Sequence, residues 1–373
     1  MVVAALTALA LVALAFFVVL RGRHEVPLGP PLRHPDQWPT GPVTENGYSF
    51  LRSRSDDAAL ALRGELPLEA HMASCPPPQR LVVPVPQPAT LRKLRAGDAP
   101  LAERARLLSA HGDTLVRLSS LRCRSLTRVD LAFAATHFTD HWVHSRGWYD
   151  PFAWVGEFVY LAPIDQLRIL ALAARGEHEE ALERTVRALG RTLELAVEPA
   201  LLGTLEVARD VTGDYLAVAE LLRAAAPEEA RTERWYQARG ELVALLRPPK
   251  EPGLGRALAS AYLSHYAALE KFTESALEAG EELAFELDPP RTLARLDDYW
   301  RALEDHAFAS APAPAPPEPA RFLNDAGAEW LRFGSWDYPE RIREALRARA
   351  ALTEQLHRAR QRWAAADVQP GGP

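Results

Sequence analysis

The sequence has only two cysteines, Cys75 and Cys123. Two cysteines are too few to staple a small scaffold or to fill a cysteine-based zinc site. They could form a disulfide if the folded body lies in an oxidising compartment, whereas in the cytoplasm both would be free thiols. The spacing of the two residues does not show whether their Cα atoms come within bonding reach. Both alternatives therefore stay open.

The chain also lacks a cluster of basic residues. Its net charge at pH 7 is −6, lysine occurs only at Lys93, Lys250 and Lys271, and the arginines alternate with Glu and Asp. Such a charge pattern creates no basic field that would attract a phosphate backbone. We therefore expect no nucleic-acid partner.

Familiar catalytic motifs are missing as well. The segment that starts Gly253-Leu254-Gly255 resembles the opening of a dinucleotide-binding fingerprint, but the final glycine and a preceding strand are missing. The sequence contains neither a phosphate-binding P-loop nor a nucleophile elbow. Ser264 and His265 are neighbours in sequence, and on a helix such neighbours do not face each other. The sequence thus favours a non-catalytic protein.

What the sequence does contain is a long apolar run from Val2 to Leu20, which has neither a charge nor a proline. As a helix that rises ~1.5 Å per residue, this run would be roughly 28 Å long, close to the thickness of a bilayer's hydrocarbon layer. It is long for a signal peptide, and neither a cleavage site nor a lipid-accepting cysteine follows it. We predict an uncleaved transmembrane anchor over residues 1–22, which contacts membrane lipid through residues 2–20.

The anchor is followed by a stretch rich in proline, residues 23–44. Proline fixes φ and removes a backbone donor, so this stretch is predicted to form an extended stalk. A second proline-rich segment, residues 76–88, is predicted to form an extended strap within the folded body.

The folded body is predicted to be all-α. Apolar residues recur at every third or fourth position in several long stretches, and no stretch alternates with period two for long enough to indicate a sheet. The helical body spans residues 45–309 in this prediction. The predicted helical stretches are residues 91–147, 163–190, 192–226, 227–246, 254–287 and 339–366. Pro163 falls near an expected helix start, and Gly112, Gly176 and Gly213 suit turns between helices.

The C-terminal part is predicted to begin with a surface linker, residues 310–319, whose Ala/Pro composition cannot bury a core. Residues 320–366 should then form a helical segment that packs on the body, and residues 367–373 a disordered tail. The apolar side of the helix is formed by Ile342, Leu346, Leu352, Leu356 and Trp363. The alternative is that this basic amphipathic helix lies on anionic lipid.

Residues 165–226 are predicted to form helical hairpins of a solenoid-like body, with turns at Gly176-Glu177 and Gly213-Asp214. The sequence ARGEHEEALE around the first turn resembles a tetratricopeptide-like unit. The full tryptophan, tyrosine and proline pattern of that repeat is absent, and no fixed period continues over three units.

The order of these parts resembles a group of uncharacterised membrane-anchored, all-helical proteins of Gram-negative bacteria. The resemblance is carried by the apolar run, the proline-rich stalk, the element Glu45-Asn46-Gly47-Tyr48 and the region AALERTVRALGRTLELA to LLGTLEVARDVTGDYLAVAELL. It implies no activity, but it implies a body on the periplasmic side of the bacterial inner membrane.

The side of the membrane can also be judged from charge. Arg21, Arg23 and Arg33 follow the apolar run, and by the positive-inside rule they favour a cytoplasmic body. Because so few charges carry little weight, we follow the stalk-and-body layout and the resemblance instead. We expect a single-pass inner-membrane protein with a periplasmic body, and the cytoplasmic body remains the alternative.

One group of residues has the spacing of a metal site. His137, His141 and His144 lie in the segment THFTDHWVH, and spacings of four and three place them on one face of a helix. Three neutral imidazoles with an open fourth position can bind zinc or another transition metal. However, one straight helix seldom directs three ligands at a single ion, and the glutamate of an H-E-x-x-H site is missing. A histidine-rich solvent-exposed face is the simpler interpretation.

Two functions from different classes follow from the sequence. The first is a membrane-tethered, non-catalytic interaction or scaffold protein, which has a protein partner and no cofactor. The second is a metal-dependent enzyme or metal-binding protein that uses the histidine face and zinc.

Overall fold

The structure, a computed structural model, describes Val12 and residues 30–32, 75, 88–95, 99–134, 153–197, 202–248, 253–279, 288–309, 311–315 and 337–365. Over these residues the chain forms ten α-helices and one short 3₁₀ turn, and no β-strand. The all-α prediction is therefore confirmed.

The helices are α1 (Pro88–Arg95), α2 (Leu101–Leu121), α3 (Cys123–Ala134), α4 (Ala153–Ala174), α5 (His178–Val197), α6 (Leu202–Ala225), α7 (Glu233–Leu245), α8 (Leu254–Ala279), α9 (Pro289–Ala309) and α10 (Tyr338–Ala365). The 3₁₀ turn Glu228–Ala230 lies between α6 and α7. Residues 311–315 follow α9 without regular secondary structure.

Several predicted segments lie outside the described residues. They are the membrane anchor apart from Val12, the stalk apart from residues 30–32, the strap up to residue 87 and the C-terminal tail. Among the helices that the structure describes, none combines the length and the apolar character needed to cross a bilayer.

The chain divides into two compact units. Unit 1 comprises residues 1–39, 142–150 and 258–344, and unit 2 comprises residues 40–141, 151–257 and 345–373.

The core of unit 2 is built from α4, α5 and α6, with α2 packed on α4 and α7 packed on α5. These helices turn apolar residues inward at helical spacing, and each fully buried leucine or isoleucine stabilises the fold by about 1.5–3 kcal/mol. The buried core residues include Leu115, Leu161, Ile169, Leu182, Leu189, Leu205, Leu222, Trp235 and Leu242.

The turn between α4 and α5 forms at Gly176, as predicted. Gly176 has a φ of +82°, a conformation that residues with a Cβ rarely adopt. The N–H of Glu177 donates to the carbonyl of Leu172 at 3.0 Å, and the N–H of Gly176 donates to that of Ala173 at 3.0 Å. These are the two hydrogen bonds of a Schellman motif, which ends α4 and directs the chain back along it.

The turns predicted at Gly112 and Gly213 are wrong, because these residues lie inside α2 and α6. Both glycines allow another element to come close to the helix. A Cβ at Gly112 would lie 3.1 Å from the Cβ of Ala174, and one at Gly213 would lie 3.4 Å from Nε2 of Gln355. The missing side chain therefore serves packing rather than chain reversal at these two positions.

Two further predicted boundaries also fail. Pro163 lies inside α4 instead of at a helix start, and the break expected near residues 190–192 lies inside α5. An interior proline costs a helix about 3 kcal/mol. The burial of Leu161, Ala162 and Ile164 around it offsets this cost and keeps α4 continuous.

Two glycine substitutions, one at the contact between α2 and α4 and one on the surface of α7, are expected to have opposite effects on stability. Gly112→Leu should lower the free energy of unfolding by about 1–3 kcal/mol, because its side chain must displace Ala174. Gly240→Ala lies in the exposed interior of α7 with nothing within 4 Å of a new Cβ. This substitution should raise the free energy of unfolding by about 0.5–1 kcal/mol, because alanine has a higher helix propensity than glycine. Urea unfolding of the two variants checks this pair, and a destabilising Gly240→Ala would contradict it.

Helix C-termini in unit 2 are satisfied by arginine side chains from other elements. Arg104 is 2% exposed, and its Nη2 donates to the carbonyl of Leu94 in the last turn of α1 and to that of Ala217. Arg239 is also buried and donates to the carbonyl of Trp363 in the last turn of α10 at 2.7 Å. The last carbonyls of a helix have no partner within it and carry a partial negative charge, so a guanidinium stabilises them.

The same arrangement recurs at two more helices. Arg191 donates to the carbonyl of Phe133 near the end of α3. Arg231 donates to the carbonyls of Arg223 and Ala226 at the end of α6. Arg104, Arg191 and Arg239 lie on other helices than the ends they cap, so these three also connect helices of unit 2.

Residues 345–365 of α10 belong to unit 2. In this part of the helix, Leu352, Leu356 and Trp363 are buried, and Leu346 is half-buried. The guanidinium of Arg223 lies 5.6 Å from the centroid of the Trp363 ring. On the exposed side, Arg362 pairs with Glu220 at 2.8 Å and Arg358 pairs with Glu354.

Unit 1 contains α9, most of α8 and the first turns of α10 around a buried aromatic cluster. Trp300 is fully buried and lies within 4.9–5.7 Å of the rings of Tyr262, His265 and Tyr338, measured between centroids. Its indole N–H donates to the carbonyl of Leu258 at 3.0 Å. Aromatic contacts of this kind contribute about 0.5–1.5 kcal/mol each beyond the burial of area.

Candidate functional site

A cluster of charged and hydrogen-bonding side chains around a fully buried carboxylate lies in unit 2. We call Asp130, Asp165, Arg184 and Tyr215 the Asp165 cluster. They come from α3, α4, α5 and α6 in that order. Asp165 is held in place by the apolar helix around it, since the stretch from Phe158 to Ala174 is apolar apart from a few residues and most of its side chains are buried.

Both oxygens of the buried Asp165 carboxylate accept hydrogen bonds. Nε of Arg184 lies 2.6 Å from Oδ1, and the hydroxyl of Tyr215 donates to Oδ2 at 2.9 Å. Nη1 of Arg184 also lies 2.6 Å from Oδ1 of Asp130, whose side chain is exposed. Arg184 therefore bridges a carboxylate with 0% exposure and one with 53% exposure.

Burial raises the pKa of Asp165, although Arg184 and the hydrogen bond from Tyr215 act in the opposite direction. Burial would lower the pKa of Arg184, but Asp165 and Asp130 outweigh it and raise that pKa. The effect of burial on the two pKa values differs because the Asp165 side chain has no exposed surface, whereas 15% of the Arg184 side chain is exposed and a second anion, Asp130, contacts it. Burial also raises the pKa of Tyr215, so its phenol stays protonated as a donor.

This geometry makes the Asp165 cluster a connector of four helices. The lone pairs that Asp165 would need as a general base are directed at Arg184 and Tyr215. Gln166 follows Asp165 on α4 and is fully buried, and within the described structure its amide nitrogen and oxygen have no hydrogen-bond partner.

Ser264 and His265, adjacent in sequence, are both buried in α8 and bond to their own helix. The Ser264 hydroxyl donates to the carbonyl of Ser260 at 3.0 Å. Nδ1 of His265 lies 2.8 Å from the carbonyl of Ala261, and its ring packs against Trp300 and Tyr338. The pair does not have the geometry of a nucleophile and its base.

Cys75 and Cys123 are joined by a disulfide in the structure, with their Cα atoms 5.7 Å apart. Cys123 is the first residue of α3, and the Sγ of Cys75 lies 3.6 Å from Oγ1 of Thr127 one turn later. The bond connects two positions that are 48 residues apart in sequence.

The predicted metal ligands His137, His141 and His144 lie outside the described residues. Within the parts of the chain that the structure does describe, no three His, Cys, Asp or Glu side chains are arranged to bind a metal ion.

Comparisons of the chain with protein-family models, with curated proteins and with solved structures gave no match.

Sequence reasoning did not single out the Asp165 cluster. A signal was present, because Asp165 is an acidic residue in a strongly apolar helix, and such a residue needs a buried partner. The partners lie 19 and 50 positions further along the chain. Nothing in their local sequence indicates that they meet.

Proposed function

We propose that the chain is a membrane-tethered, non-catalytic scaffold whose helical body presents its outer faces to a protein partner. The observation that carries this proposal is the connection of α3, α4, α5 and α6 through the Asp165 cluster. In this cluster, the ion pair between Asp165 and Arg184 holds adjacent helices in fixed positions. Stacked helices that are held in this way offer extended surfaces, which helical-repeat proteins use for binding.

The tether in this proposal is the apolar run of residues 2–20, and the body lies on the periplasmic side of a bacterial inner membrane. The disulfide between Cys75 and Cys123 supports this side, because disulfides persist in the periplasm and are rare in the cytoplasm. The resemblance to membrane-anchored proteins of Gram-negative bacteria supports the same assignment. Against it stand the few arginines that follow the run.

The test is to isolate the full-length protein from membranes in mild detergent. We expect carbonate washing to leave the wild-type protein in the membrane fraction. Leu9→Arg combined with Leu14→Arg should release it, since an arginine near the centre of a span costs about 2.5–3.5 kcal/mol. Leu9→Ile combined with Leu14→Ile is the matched control and should stay in the membrane. Wild-type protein in the aqueous fraction would contradict the tether.

The same preparation separates a scaffold from a metal-dependent protein. A scaffold should co-purify in a defined complex and carry no stoichiometric metal. Bound zinc that is lost when His137, His141 and His144 are all changed to Ala would instead establish the metal-binding alternative.

A further inference from the structure

Residues 30–32 of the proline-rich stretch belong to unit 1. They contact helix α8 of that unit. The backbone N–H of Leu32 donates to the hydroxyl of Tyr262 on α8 at 2.7 Å. The same hydroxyl donates its proton to Oδ1 of Asp297 on α9, also at 2.7 Å. A tyrosine hydroxyl has one proton to donate, so the carboxylate directs its lone pairs toward the incoming N–H.

The acceptor is held in place by side chains of α8 and α9, independently of its contact with the segment. Tyr262 is fully buried, and its ring lies 5.7 Å from that of Trp300 and 6.5 Å from that of Tyr266, measured between centroids. Asp297 is half-buried. Burial and the hydrogen bond to Asp297 raise the pKa of Tyr262, so its hydroxyl remains a neutral donor and acceptor at physiological pH.

The segment itself is suited to this contact. Pro30 and Pro31 have no N–H, which makes Leu32 the first residue after them that can donate a backbone hydrogen bond. Prolines also restrict the free chain to extended conformations, so docking orders fewer backbone states than it would in a flexible linker.

We propose that Tyr262 and Asp297 form a docking site for the chain's own proline-rich segment at residues 30–32, and that this docking keeps unit 1 close to the membrane. The second part rests on the proposed membrane tether. Pro30 lies ten positions after Leu20, and the chain between them spans at most about 36 Å when fully extended. The part of the stalk between the membrane and unit 1 is then short. A free stalk of residues 23–44 would reach roughly 75 Å.

The docking can be tested by trypsin cleavage after Arg33, next to the contact, with cleavage after Arg23 as an internal reference. In detergent-solubilised full-length protein, Leu32→Pro removes the donor N–H, and Leu32→Ala keeps it. Tyr262→Phe removes the acceptor. Rates are normalised to synthetic peptides of residues 24–40 with the same sequences, so that the intrinsic effect of proline on trypsin is removed.

We expect cleavage after Arg33 to be slow in the wild type and in Leu32→Ala. It should become about 3- to 10-fold faster in Leu32→Pro and in Tyr262→Phe, the factor that corresponds to one hydrogen bond. The double variant should be no faster than either single one, because both remove the same bond. Tyr236→Phe changes an exposed tyrosine of unit 2 and should have no effect.

Equal rates in wild type, Leu32→Pro and Tyr262→Phe would overturn the docking site. Rates that depend on protein concentration would also overturn it, because the segment would then come from a second copy. This readout does not require the membrane, so a failed carbonate test with intact protection of Arg33 would refute the tether and leave the docking site standing.

Discussion

Replacing Arg184 by Met is expected to destabilise unit 2 by about 3–5 kcal/mol. The substitution retains much of the volume of the side chain but leaves the Asp165 carboxylate, which is fully buried, without its cation. Tyr215 would then be the remaining member of the cluster in contact with it. Chemical denaturation of the full-length protein in mild detergent, followed by tryptophan fluorescence, measures the loss.

A matched control is Arg234→Met. Arg234 pairs with Glu183 on the surface at 2.8 Å, and it is 63% exposed. Exposed ion pairs contribute little to stability, so the unfolding midpoint should hardly change. Similar losses in both variants would contradict the role assigned to the Asp165 cluster.

The deficit of the Arg184→Met variant should depend on pH. The pKa of Asp165 is already raised in the folded protein by burial, and removing Arg184 raises it further. A carboxyl whose pKa is higher in the folded state favours folding when protonated, and this contribution is lost as the pH rises through the folded pKa. The destabilisation should therefore be largest at neutral pH and shrink in acid. Asp165→Asn in the same variant should remove most of the pH dependence.

Removing the disulfide is the second change with a large expected effect. A bond that closes a loop of 48 residues stabilises the folded state by about 4 kcal/mol in the chain-entropy description. The double variant Cys75→Ser, Cys123→Ser should lose this amount. Wild-type protein unfolded in the presence of a reductant should match it, and the reductant should not affect the double variant.

The state of the two thiols provides the independent check. Protein isolated from its native cells under denaturing, non-reducing conditions should not react with an alkylating reagent until it is reduced. Immediate alkylation of Cys75 and Cys123 would mean that the bond does not form in that compartment. It would also remove the support that the disulfide gives to a periplasmic body.

The helical nature of the body was predictable because it depends on local information. Apolar residues at every third or fourth position need one buried face, and that requirement holds whatever the face packs against. The turn at Gly176 was predictable for the same reason, since its Schellman motif involves only Leu172 to Glu177. Both features use contacts within a few residues of the chain.

Gly213 shows where this reasoning fails. Like Gly176, it is followed by an acidic residue, and the two positions look alike in sequence. Gly213 stays helical because the flanking Val211, Leu216 and Ala217 bury a continuous face. Its missing Cβ leaves room for Gln355, a residue more than a hundred positions away. A glycine used for packing cannot be told from one used for a turn without the partner.

The buried arginines are a second feature that the local sequence does not predict. The sequence has 43 lysines and arginines in total, and by composition they are expected at the surface. Arg104 and Arg239 are nevertheless buried, because each donates to a carbonyl in the last turn of another helix, Leu94 for Arg104 and Trp363 for Arg239. Trp363 lies 124 positions away from Arg239.

The sequence by itself determined the all-α class, the turn at Gly176 and the presence of one apolar run long enough for a span, because each depends on residues close together in the chain. Tertiary structure alone decided that Asp165 meets Arg184 and Tyr215, that Cys75 meets Cys123 and that Leu32 meets Tyr262. These contacts join residues from 19 to 230 positions apart. Their formation depends on how whole helices pack, which no local pattern of side chains encodes.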